Sequence, residues 1–232
     1  MVAAFAIGNT GSTWAKDTLR PFLHHEDAGV RWAVVLSLGE MREPLALPVL
    51  VEMLQEFLSH PESYDPMYDW FDVRHMAVAD ILGSWGDTSV ISAVRSTLEH
   101  VWFLEQQSLG ENEQIWWDYQ ISLAYALGRL GAFDALNDMK LPVYRRRYWT
   151  IYIAMGYIHA NVLGWNHVTG FLQDIVASQE HQDFYKLLLQ TLQQKIGLSL
   201  QEAEFYIQSY DDDHASIRYA TAEERRRNDH IA

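Results

Sequence analysis

The sequence predicts an all-α chain built from stacked antiparallel helix pairs. Three observations carry that expectation. A small-residue apolar segment that closes on Gly recurs along the chain. Each copy is followed by a second segment whose apolar residues recur with helical spacing. No segment alternates with period two for long enough to demand a strand.

The first copy is Val2 to Gly8, and the second is Val30 to Gly39. Val73 to Gly83, Ile121 to Gly128 and Trp149 to Gly156 follow. The closing glycines at 8, 39, 83, 128 and 156 are separated by 31, 44, 45 and 28 residues. Two spacings near 45 and two near 30 imply one unit, with and without an inserted segment. Small residues three and four apart share a helical face and let a neighbouring helix approach closely. The Gly after the last apolar residue is expected to take the left-handed conformation that ends a helix.

The second segments are expected at Trp14 to Leu23, Leu45 to Leu58, Ser89 to Leu104 and Val168 to Val176. In the second of these, Leu47, Leu50, Val51, Leu54 and Leu58 fall on one face. The partner after Gly128, Phe133 to Met139, is the weakest and is expected to be short or poorly formed. An isolated pair cannot bury its apolar face, but a stack can.

The C-terminal third reads differently. Asp183 to Ile196 is apolar-periodic and ends at Gly197. Ser199-Leu200-Gln201-Glu202 has the pattern of a capping box, so a further helix is expected to begin there. The organisation expected is repeats over 1–176, capping helices over 177–210 and a polar, disordered tail over 211–232. Met1 falls where the first unit should already have begun, which reads as a chain cut from a longer array.

Asp27-Ala28-Gly29-Val30-Arg31 running through to Leu38-Gly39 resembles a HEAT repeat of the bacterial bilin-lyase-like variety. That pattern runs Asp, two residues, Val-Arg, then a small apolar helix ending Leu-Gly. Val73-Arg74 with Leu82-Gly83 matches it with one residue extra. The copy ending at Gly128 has Tyr119-Gln120 where Val-Arg belongs, and the copy ending at Gly156 keeps only the small-residue helix and Met155-Gly156. The resemblance covers about residues 1–176. It implies a right-handed α-α superhelix, a solenoid of HEAT-like helix pairs, and leaves the function open because such repeats serve unrelated roles.

Composition excludes several classes. The 232 residues include no Cys, so a disulfide framework, thiolate-bound zinc and a cysteine nucleophile are ruled out. Lys+Arg number 17 against 31 Asp+Glu, a formal charge of −14, which argues against nucleic acid as a partner. Tyr148 to Gln173 carries no charged residue and follows Arg145-Arg146-Arg147, but only Tyr148 to Ile158 is continuously apolar or small. That length suits a buried helix rather than a membrane span. A cytoplasmic location is expected.

No phosphate-cradling Gly-rich loop, nucleophile elbow or His-Glu-x-x-His occurs. His24-His25-Glu26-Asp27 reads as a polar loop with Asp27 as a helix N-cap. His159 and His167 are expected to be structural or solvent-facing, and Glu52 with Glu56 to be a solvated face. Neither a catalytic set, a metal set nor a cofactor is expected.

Two inserted segments stand apart. Ser59 to Asp72 holds four acids, no base, and Tyr64, Tyr68, Trp70 and Phe71. Glu105 to Tyr119 holds four acids, no base, and Trp116, Trp117 and Tyr119. Together they supply −8 of the charge. Both join a second helix to the next first helix, so a regular stack puts them on one edge. Carboxylates mixed with aromatic rings suit cations, and Trp and Tyr dominate interface hot spots. The candidate partner surface is therefore Glu62, Tyr64, Asp65, Tyr68, Asp69 and Trp70 with Glu111, Glu113, Trp116 and Trp117, facing a basic segment of a protein partner. The competing expectation is that these aromatics pack over the start of the following helix, with acids favoured there by its dipole. The resemblance also implies alternatives: a lyase-like subunit acting on a tetrapyrrole and its acceptor protein, a DNA-glycosylase-like enzyme that the charge disfavours, and a regulatory part of a larger protein.

Overall fold

The computed structural model describes residues 2–59, 70–107, 113–164 and 181–210. Among them every regular element is helical. In chain order these are α1 (Val2–Gly8), α2 (Thr13–Leu19), α3 (Ala28–Glu40), α4 (Ala46–Ser59), α5 (Trp70–Trp85), α6 (Ile91–Gln107), α7 (Glu113–Arg129), α8 (Val143–Tyr157) and α9 (His181–Thr191). A last helix, α10, spans 200–210. The second helix expected at Val168 to Val176 and the tail beyond 210 lie outside the described residues.

Local chemistry starts these helices where the sequence says it should. The Asp27 side chain accepts from the Val30 amide at 2.8 Å and caps α3. The Ser12 hydroxyl caps α2 through the Ala15 amide. At α10, Glu202 accepts from the Ser199 amide at 2.9 Å while the Glu202 amide bonds back to the Ser199 hydroxyl, a closed capping box. Phe133 to Met139 forms only a succession of turns.

The Gly-closed helices α1, α3, α5, α7 and α8 form one layer and pack directly on one another in that order. The middle helices α3 and α7 are buried over most of their length because neighbours cover both flanks. Trp32 to Gly39 is buried without interruption in α3, and so is Tyr119 to Arg129 in α7. The second helices α2, α4 and α6 form the other layer and keep one polar face, as Glu52, Glu56 and Glu99 show.

The closing glycines do not end their helices, contrary to the C-cap expectation. Gly8, Gly39, Gly83, Gly128 and Gly156 are all helical; Gly164 and Gly197 are left-handed, and so are the residues that follow the first four of these helices, Gly11, Arg42, Gly86 and Gly131. Each of these four lies three positions further on. The glycines are instead contact points. A Cβ on Gly128 would sit 2.7 Å from the carbonyl carbon of Ile153 in α8, and one on Gly156 would sit 3.0 Å from that of Tyr125 in α7. A Cβ on Gly83 would meet the Cα of Ala126 at 3.0 Å, and one on Gly8 would meet Ser37 Cβ at 2.5 Å. At Gly83, Gly128 and Gly156 glycine is required because the next helix backbone occupies the space.

Side chains then tie consecutive units. Trp85 Nε1 donates to the Gly39 carbonyl at 2.7 Å, and Arg42 donates to the Ser84 carbonyl at 2.8 Å. These bonds satisfy carbonyls that a helix end leaves without intrahelical donors. Asn161 reaches the Arg129 carbonyl at the α7 end, and the Tyr119 hydroxyl donates to the Leu54 carbonyl at 2.6 Å.

Candidate functional site

The junctions that carry the two acidic segments share one end of the stack. Gly83, near the end of α5, meets Ala126, near the end of α7, so these helices run parallel and in register. Their starts, Trp70 and Glu113, therefore lie at the same end, where α4 and α6 finish at Ser59 and Gln107. The first amides of a helix have no intrahelical acceptor, and carboxylates are favoured beside them.

Glu62, Tyr64, Asp65, Tyr68, Asp69 and Glu111 lie outside the described residues. Trp70 and Glu113 are the first residues of α5 and α7. Trp116 is buried within α7. Trp117 is half-buried, meeting the Tyr148 ring edge-on at 5.2 Å and lying 4.2 Å beneath the Arg145 guanidinium. The second segment is thus helical at both ends, and Glu105 to Tyr119 is not one long loop. Glu105 lies inside α6 and is buried. It is ion-paired with Arg145 of α8 and accepts from Gln120 of α7 at 2.9 Å. Arg145 stacks on Trp102 as well as Trp117. One of the segment's four acids is therefore neutralised inside the protein. Of the cluster Arg145-Arg146-Arg147, the first member is buried.

At the same end, α3, α4 and the loop before α3 enclose an open groove of about 410 Å³. It is lined by His24, Arg31, Val49, Glu52, Met53 and Glu56. Val49 and Met53 are buried and give it an apolar floor, while Glu52 and Glu56 are exposed along its wall. Arg31 donates to the His25 carbonyl at 3.1 Å and pairs with Glu56 at 3.4 Å, which holds one carboxylate in place. Two carboxylates, one guanidinium and a thioether floor suit an amphipathic basic side chain, whose stem lies on Met53 and whose head meets Glu52. Residue patterning hid this groove, because Glu52 and Glu56 read as an ordinary solvated face.

A second polar cluster sits deep in the stack. Tyr125 and His159 share a 2.5 Å hydrogen bond through Nδ1, and Arg129 pairs with Asp80 beside them. Burial and the nearby Arg129 charge hold His159 down at about 4, and burial pushes the Tyr125 phenol up. Both groups are thereby kept neutral, and the ring of Phe184 from α9 closes over His159 at 5.4 Å. His167 lies outside the described residues. No described helix is long and apolar enough to cross a membrane. The described residues hold no group of three or more His, Asp or Glu placed to bind a metal ion.

No curated protein matches the chain. A family model for HEAT repeats matches residues 1–57, the span that contains α1 to α4 and the groove. Residues 1–57 therefore carry HEAT repeats, and the same two-layer packing of helices continues through α5 to α8.

Proposed function

We propose that the chain is a non-enzymatic scaffold that holds a basic segment of a protein partner at the end of the stack where the acidic segments enter. The observation that carries this reading is the groove between α3 and α4. It combines Glu52 and Glu56 with an apolar floor, and it opens beside the junction that follows α4. HEAT repeats commonly serve as interaction scaffolds, and the charge of −14 favours a cationic partner. Glu62, Asp65, Asp69, Glu111 and Glu113 add carboxylates of the kind a cationic segment would meet on this reading. Tyr64, Tyr68 and Trp70 supply ring faces for Arg or Lys.

The test is an equilibrium titration with a dye-labelled Arg-Ser repeat peptide, run beside its Glu-Ser counterpart. Binding should be confined to the basic peptide and weaken as salt rises. Replacing Glu52, Glu56, Glu62, Asp65, Glu111 and Glu113 by Lys should weaken it by at least about tenfold, since several charge contacts are lost together. Equal affinity for wild type and variant sinks the proposal.

A further inference from the structure

We propose that the chain's own run Arg225-Arg226-Arg227 docks in the groove between α3 and α4 and competes there with the basic segment of a partner. The inference rests on the reading of that groove as a seat for basic side chains. Sequence narrows the candidates within the chain. Two runs of three basic residues occur, Arg145 to Arg147 and Arg225 to Arg227. The first is committed elsewhere. Arg145 is ion-paired with Glu105, Arg146 donates to the Met139 carbonyl at 2.7 Å, and Arg147 donates to the Ser209 hydroxyl at 2.8 Å. Outside the described residues, 60–69, 108–112 and 165–180 contain no Lys or Arg, whereas 211–232 contains four Arg.

Position allows the contact. The Arg147 bond to Ser209 and the Tyr210 ring, 6.3 Å from that of Tyr148, set the last turn of α10 against the first turns of α8. Helix α8 runs beside α7 in the same direction, since Trp117 meets Tyr148 near both starts and Tyr125 meets His159 near both ends. The chain therefore leaves α10 at the end of the stack where the groove opens. From α8 the path crosses α7 and α5 to reach α3 and α4. Helix spacings of about 8–10 Å make that roughly 40 Å at most. Fourteen residues separate Tyr210 from Arg225, and at about 3.3–3.6 Å per residue they reach about 50 Å. The chemistry fits as well. An Arg stem lies on Val49 and Met53 while its guanidinium meets Glu52, and Glu56 is held by Arg31. A tethered occupant acts at a roughly millimolar effective concentration, so a contact of modest affinity competes with a free peptide.

Two measurements on the full chain test it. Arg225→Ser, Arg226→Ser and Arg227→Ser combined should raise the affinity for the labelled Arg-Ser peptide by at least about threefold, because the tethered competitor is removed. The helical circular-dichroism signal should stay unchanged. With benzoylphenylalanine in place of Asn228, irradiation should give an intramolecular adduct within residues 24–56. Its yield should hold on tenfold dilution and should fall at high salt and in the triple variant. No adduct within 24–56, adducts that form only between molecules, or adducts that survive loss of the three arginines overturn the proposal. If wild type and the triple variant bind the peptide equally tightly, the Arg225–Arg227 contact fails and the scaffold reading stands. If neither binds the peptide but the groove adduct forms, the scaffold reading fails and the contact stands.

Discussion

Gly128→Ala adds one methyl group at the tightest of the glycine contacts among the described residues. The new Cβ would lie 2.7 Å from the Ile153 carbonyl carbon and 2.8 Å from its Cα. Ordinary contact begins near 3.4 Å, so α8 must retreat by roughly 0.7 Å or more at a point where only backbone can yield. Overpacking of this kind costs about 1–3 kcal/mol. Alanine returns about 1 kcal/mol of helix propensity. The net expectation is a loss of about 0–2 kcal/mol, from those two terms together. Gly39→Ala provides the internal control. Its neighbours are methyl groups, Ile81 Cγ2 at 2.9 Å and Leu50 Cδ1 at 3.0 Å, which rotate away more easily than a backbone moves. That variant should therefore be near neutral. Urea unfolding of both variants beside wild type, followed by circular dichroism, measures the difference. If Gly128→Ala shows the full helix-propensity gain of about 1 kcal/mol, or Gly39→Ala costs more than Gly128→Ala, the glycines are not contact points and the packing argument fails.

Ala124→Leu should cost about 1–3 kcal/mol by the same mechanism, because Ala124 is fully buried in α7; an unchanged urea midpoint contradicts that placement. His159 makes stability pH-dependent. Above its ordinary value of 6.5 both the folded and unfolded chains hold a neutral ring. Between 6.5 and about 4 the unfolded chain alone takes up a proton, so stability falls as pH falls through that window and this contribution levels off below it. The gap corresponds to about 3 kcal/mol. The stability difference between wild type and His159→Gln, followed from pH 7 to pH 4, should shrink by about that amount; a difference independent of pH refutes it. Glu105→Leu alone strands the Arg145 charge and should cost about 3–5 kcal/mol. The double variant with Arg145→Leu should recover much of that loss, and strict additivity in the double-mutant cycle contradicts the pairing. Trp85→Phe should cost about 1 kcal/mol, no more, because the Gly39 carbonyl still accepts from the Arg42 amide at 2.9 Å.

The helices were legible because their signals are local. The Asp27 cap, the Ser199–Glu202 box and the apolar spacing of Ala46 to Ser59 each lie within one or two turns. The weakness of Phe133 to Met139 was visible for the same reason. The role of the glycines was not legible, because a helix-ending Gly and a helix-crossing Gly look alike in sequence. What distinguishes them is the backbone of Ile153 or Tyr125, about one unit away in the chain. Glu105 was counted with a solvent-facing acidic segment for a related reason. Its neutralising partner is Arg145, forty residues on, and no local pattern joins the two. The groove became visible only when folding set Arg31 of α3 against Glu56 of α4. Single-residue patterning saw the carboxylates but not the floor that Val49 and Met53 provide beneath them.

Where a basic segment attaches is the most direct measure of the scaffold reading. The Arg-Ser peptide carrying a benzophenone at its centre would be irradiated with the full chain, and the adducts mapped by proteolysis and mass spectrometry. The account predicts adducts at Met53 and within 60–69 and 108–117, lost in excess unlabelled basic peptide and at high salt. Adducts concentrated at the opposite end, around the turns at Gly86 and Gly131, would contradict it. So would labelling that the unlabelled basic peptide fails to displace.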